Sequence, residues 1–145
     1  FTKAIDLDSS KADFYHNRGF TYRKKEQYKK ALEDYTCALK IDPNHFKAYY
    51  NRGFCNEKIG ELKKAEKDYQ RALVLRPDNI NTLYRLGSVY EKKGEPKHLK
   101  VATKYYSKAI KLNPNHAASY NGLGLVYDSF KKPEKALAYF KKASE

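Results

Sequence analysis

Small and large apolar residues recur along this chain in a fixed order, and the order itself repeats. Glycines stand at Gly19, Gly53, Gly87 and Gly124, spaced 34, 34 and 37 residues. Ala31, Ala65, Ala102 and Ala136 are spaced 34, 37 and 34, and Ala38, Ala72, Ala109 and Ala143 keep the same step. Tyr35, Tyr69, Tyr106 and Phe140 follow it too, and Pro43, Pro77 and Pro114 fall in phase. One insertion of three residues between Gly87 and Ala102 accounts for every 37, and Glu95–Leu99 is its expected place. Setting each proline at position 32 of a 34-residue unit gives units 12–45, 46–79, 80–116 and 117–145, the last stopping at position 29. Phe1 and Ala4 lie 34 residues before Tyr35 and Ala38, so 1–11 reads as the end of a preceding unit. A period of this length is the mark of stacked units that each bury a face on the next.

Each unit is expected to be two helices. Glycine at position 8 and alanine at 20 let the two approach closely, and aromatics at 4, 11 and 24 fill the space around them. Asp42-Pro43 and Asn113-Pro114 end the second helix, because a residue before proline avoids the α region and proline cannot extend the helix. Gly60 and Gly94 suit the turn between the two helices, a slot held by Glu26 and Lys131 in the first and fourth units.

The pattern of a large apolar residue at 4, Gly at 8, Tyr at 11, Ala at 20, an aromatic at 24 and Pro at 32 resembles the tetratricopeptide repeat, over nearly the whole chain. The resemblance implies an all-α fold, a right-handed superhelical solenoid of antiparallel helix pairs. It also implies that the first helix of each unit lines a concave face through positions 2, 5, 6, 9, 12 and 13. Across the units these place His16, Tyr50, Tyr84 and Asn121 at position 5, and Asn17, Asn51 and Arg85 at position 6. Position 9 holds Phe20, Phe54 and Ser88; Arg23, Lys47 and Lys58 add cations at positions 12, 2 and 13. Aromatic walls, amides that both donate and accept, and planar guanidinium forks suit an extended peptide bearing acidic and apolar side chains. The carboxylate clamp of some family members is matched only in part, by Asn51 and Arg85 in one frame and by Asn17 and Lys47 in the other.

Composition narrows the classes. Thirty Lys and Arg against 17 Asp and Glu give a net charge of +13, and no apolar run is long enough to span a membrane. The lysine doublets recur in phase with the repeat, either as a solvated surface that keeps the array soluble or as a field that favours acidic partners, ahead of nucleic acid once the tyrosines are assigned to packing. The four histidines lack metal-ligand spacing, and His45 and His116 sit in inter-unit turns, where solvent exposure is expected. Cys37 and Cys55 have no Cys-x-x-Cys neighbour and read as small packed residues of a reducing, intracellular and cytoplasmic compartment. No nucleophile–base set, phosphate loop or cofactor motif stands out, so the reading is a non-catalytic scaffold for protein–protein interaction. The alternatives are a spacer in a larger scaffold and a basic solenoid associating with RNA. The chain has no Met and both ends read as cut from a longer array, whose exposed ends would self-associate.

One further pattern is internal. Position 7, expected to be apolar, holds Arg18 and Arg52 in the two units whose position 23 is Asp34 and Asp68; the other two units have Leu86 and Leu123 with Tyr105 and Tyr139. A charge near the core needs a partner, so Arg18–Asp34 and Arg52–Asp68 ion pairs are expected.

Overall fold

Gly19 and Gly53 face the rings that decide how close each helix pair packs. In the computed structural model, a Cβ at either position would lie 2.9 Å from the ring of Tyr35 or Tyr69 respectively. Any larger residue would push the pair apart. The structure describes residues 2–145, with side chains from residue 9 onward. These form eight helices: α1 (Thr2–Lys24), α2 (Tyr28–Ile41), α3 (Phe46–Lys58), α4 (Leu62–Leu75), α5 (Ile80–Lys93), α6 (Pro96–Leu112), α7 (Ala117–Ser129) and α8 (Pro133–Ser144). They fall into two compact units, Phe1–Pro77 with α1–α4 and Asp78–Glu145 with α5–α8.

Within the first unit α1 packs on α2, α3 on α4, and α2 on α3; within the second, α5 packs on α6, α7 on α8, and α6 on α7. Each pair is closed by a left-handed residue: Glu26 (φ 61°), Gly60 (φ 86°), Gly94 (φ 80°) and Lys131 (φ 60°). Glycine adopts this region freely, whereas a side chain there costs about 1–2 kcal/mol. The three inserted residues lengthen α6 to 17 residues, against 14 in α2 and α4, at its N-terminal end.

Of the segment 1–11, expected as the end of a preceding unit, residues 2–11 are continuous with the rest of α1, and residue 1 lies outside the described residues. The reason is local: Ser9 stands where Pro43 stands one repeat later, so nothing forbids the helix from running on.

Tyr35, Tyr69 and Tyr106 are the largest fully buried side chains, with Ala31, Ala65 and Ala102 buried beside them. The two expected ion pairs are formed, and both are bidentate. Arg18 donates to Asp34 at 2.9 and 2.7 Å, and Arg52 to Asp68 at 3.0 and 2.8 Å. Asn56 adds a third donor to Asp68 at 3.0 Å. Where leucine replaces arginine, the slot is aromatic instead: Tyr90 stacks on Tyr105 at 5.8 Å and Tyr127 on Tyr139 at 5.4 Å.

Candidate functional site

The face carried by α1 and α3 in the first unit gathers most of the expected binding residues. Two phenylalanines, both half-buried, lie one repeat apart under a layer of cations. The Arg23 guanidinium sits 3.9 Å from the Phe54 ring centre and 5.2 Å from that of Phe20. The Lys24 ammonium is 4.8 Å from Phe20 and the Lys58 ammonium 5.3 Å from Phe54. Cations over ring faces are attracted by the ring quadrupole, and of the three Lys24 and Lys58 are exposed to solvent.

Beside them lies a polar cluster. Asn51 donates to His16 Nε2 at 3.0 Å, and His16 Nδ1 donates to Asn17 Oδ1 at 3.2 Å. His16 and Asn51 are buried, so they are not the open hydrogen-bonders the sequence led one to expect. The stacking of α3 beside α1 covers both. Burial, chiefly, holds the His16 imidazolium pKa below its usual value. Asn17 and Lys47 remain exposed and border a pocket of about 440 Å³ with Asp13, His45 and Arg76.

His45, expected in solvent, is instead the N-cap of α3. Its Nδ1 accepts from the Ala48 backbone at 3.1 Å and its Nε2 reaches Asp13 at 3.0 Å. His116 precedes α7 and pairs with the buried Ser119 hydroxyl at 2.7 Å. Tyr50 is half-buried against Tyr69, ring centres 5.7 Å apart. In the second unit Tyr84 lies 5.9 Å from Tyr106 and 5.7 Å from His116, Arg85 and Ser88 are half-buried on the same helix, and Asn121 is exposed on α7.

Sequence reasoning missed a coupling between positions 12 and 24. The Tyr69 hydroxyl donates to Glu57 at 2.9 Å, and the Tyr106 hydroxyl to Glu91 at 2.7 Å. Burial pushes the Glu91 carboxyl above the ordinary range, and the Tyr106 bond partly offsets this. The first repeat breaks the pattern: Arg23 stands where the glutamates stand, and the buried Tyr35 hydroxyl and Arg23 Nε have no hydrogen-bond partner among the described residues. The signal was in the sequence, since tyrosine at 24 accompanies glutamate at 12 in two units, and Phe140 accompanies Asp128 in the fourth. Of the cysteines, Cys55 is buried, which pushes its thiol up to about 12 and makes it inert; Cys37 is half-buried. Among the described residues, no three His, Cys, Asp or Glu side chains could hold a metal ion. No described helix is long and apolar enough to cross a membrane.

Family profiles for the tetratricopeptide repeat match residues 12–45, 46–79, 80–116 and 105–138. The chain belongs to the tetratricopeptide repeat family. The helix pairs described above are the units of its all-α solenoid fold, and protein–protein interaction scaffold is its broad class. Among solved structures, this repeat chain is similar to a crystal structure of MamA, with 30% identity over 98% of this chain and 81% of that one and a TM-score of 0.85. It is similar to pilF of Pseudomonas aeruginosa, with 26% identity over 94% of this chain and 61% of that one and a TM-score of 0.80. The first tetratricopeptide repeat domain of Spaghetti (RPAP3), bound to the HSP90 peptide SRMEEVD, shares the fold at 24% identity, over 85% of this chain and 95% of that one, with a TM-score of 0.80. A comparison with curated protein sequences gives no match.

Proposed function

We propose that the α1/α3 face of the first unit receives an extended peptide carrying acidic and apolar side chains, and that the chain is a non-catalytic interaction module. The observation that carries this reading is the pair of half-buried phenylalanines, Phe20 and Phe54, roofed by Arg23, Lys24 and Lys58. Apolar side chains of a ligand can pack on the rings while its carboxylates meet the cations. Asn17 and Lys47 at the neighbouring pocket extend the surface along α1 and α3. In the second unit Tyr84, Arg85, Ser88 and Asn121 offer a less cationic counterpart. The peptide held by the RPAP3 domain has the same chemistry, three acidic residues with Met and Val. Unpaired Cys37 and Cys55 fit a reducing, cytoplasmic setting. The α8 face, where Leu137 is 68% exposed, is a candidate for self-association.

The test is fluorescence polarisation with labelled SRMEEVD as the probe, comparing the parent chain with Phe20→Ala/Phe54→Ala. Both rings are half-buried, so the fold should survive; Asn51, buried and bonded to His16, is a poor choice. Removing two central aromatics should weaken binding about tenfold or more. Binding unchanged by the substitutions would remove this face as the site.

A further inference from the structure

A second groove lies on the other side of α3. Positions 47, 50, 51, 54 and 58 of α3 belong to the face described above, whereas Tyr49, Arg52 and Asn56 point the opposite way and floor a cavity of about 820 Å³ between α2 and α4. One wall is α4, where Lys64, Lys67, Arg71 and Val74 lie at i, i+3, i+7 and i+10, a single stripe along the helix. The stripe runs roughly 15 Å at 1.5 Å per residue. The other wall is α2, through Leu32 and Thr36.

The charge of this groove is one-sided. Its only lining acid, Asp68, is taken up by Arg52 and Asn56. Lys64 and Lys67 are exposed and form no salt bridge among the described residues. Arg71 faces the Tyr49 ring at 5.7 Å, leaving its guanidinium edge open. Apolar surface runs alongside: Val74 is 78% exposed, and Leu32 is half-buried. A floor of tyrosine, a free valine and three uncompensated cations ask for a ligand that is apolar on one side and anionic on the other.

We propose that the α2/α4 groove docks an acidic amphipathic helix of a partner protein, separately from the peptide face on α1 and α3. The spacing of the cations matches carboxylates on successive turns of a helix laid along α4, the helix-in-groove mode of recognition. Charge complementarity selects this occupant over a second copy of the chain, whose net charge is also +13. The exposed Val74 and the Tyr49 floor select it over nucleic acid, which would be served by the cations alone.

The probe is a labelled helical peptide of about 14 residues, the length needed to cover the α4 stripe. It carries leucine along one stripe and glutamate on both flanks. Binding is measured for the full chain, for Lys64→Glu/Lys67→Glu/Arg71→Glu, and for Lys104→Glu/Lys108→Glu/Lys111→Glu on exposed α6 positions, which changes the net charge equally. The groove variant should bind about tenfold more weakly and the α6 variant nearly as the parent. Val74→Ser, at a position too exposed to affect folding, should lose about threefold. The same losses should appear when each variant is made in a Phe20→Ala/Phe54→Ala background, which removes the contribution of the α1/α3 face. Equal losses in the two charge-reversed variants, or no loss with Val74→Ser, would overturn the proposal in favour of a general attraction of anions. Single-stranded RNA of similar length binding as tightly, with the same dependence on the α4 cations, would overturn it in favour of phosphate.

Discussion

Replacing Arg52 with leucine would strip Asp68, whose side chain is 7% exposed, of its arginine and leave Asn56 as its remaining donor. Breaking a buried ion pair from one side costs about 3–5 kcal/mol. The Asn56 bond and the quarter-exposed guanidinium put this case at the low end, about 3 kcal/mol. The chain supplies its own remedy. In the third and fourth repeats the same three positions hold Leu, Tyr and Tyr, with the rings stacked at 5.8 and 5.4 Å. Arg52→Leu/Asn56→Tyr/Asp68→Tyr installs that set in the second repeat. Exchanging a buried pair for packed apolar groups is neutral or stabilising by about 1–4 kcal/mol, and overpacking costs about 1–3 kcal/mol. The open cavity beside Arg52, Asn56 and Asp68 gives the new rings room. The triple variant should therefore lie within about 1 kcal/mol of the parent, recovering most of the single-variant loss. Urea titrations followed by far-ultraviolet circular dichroism, fitted with nearest-neighbour coupling between repeats, would measure both. A triple variant no more stable than Arg52→Leu would refute the idea that the two sets are interchangeable solutions to one packing problem.

Two other perturbations isolate single causes. Gly60 has φ 86° and no atom beyond its chain neighbours within 4 Å of where a Cβ would stand, so Gly60→Ala tests backbone strain alone and should cost about 1 kcal/mol, while Glu26→Gly should gain about 0.5 kcal/mol by urea titration. A neutral Gly60→Ala would contradict this. Burial raises the Glu91 pKa in the folded state above its unfolded value, so the folded chain holds that proton more tightly. Its stabilising contribution is full below the ordinary glutamate range, near ~4.5, and is lost as pH rises through the folded value. Glu91→Gln keeps an acceptor for Tyr106 and never ionises. Thermal melts should show it more stable than the parent at neutral pH, with the difference gone below about pH 4; an unchanged gap would count against the assignment.

The repeat register, the glycine-to-aromatic contacts and the turn residues were legible because each recurs with the period. The Arg18–Asp34 and Arg52–Asp68 pairs were legible for a related reason, as two positions changed together from one unit to the next. Depth was not legible. Periodicity assigns His16 and Asn51 to a face of α1 and α3, yet the stacking of one helix pair on the next decides that both are buried. His45 looked like a turn residue because it precedes a helix, and its capping role depends on the angle at which the chain enters α3. The α2/α4 groove was invisible because its walls come from two second helices, and attention to the first helix of each unit passes over them. The continuous α1 reflects a missing proline, which a stricter reading of Ser9 against Pro43 would have flagged.

Among the described residues, each helix packs on helices one or two places away within its own unit. Under tension applied at the two ends, contacts made between near neighbours give way locally, without waiting for the rest. Such a chain would lengthen in steps, one helix pair at a time, and shorten again from whichever pairs survive. The low contact order makes each recovery fast. Within each unit, this pairwise packing makes the chain respond to load as an extensible spring.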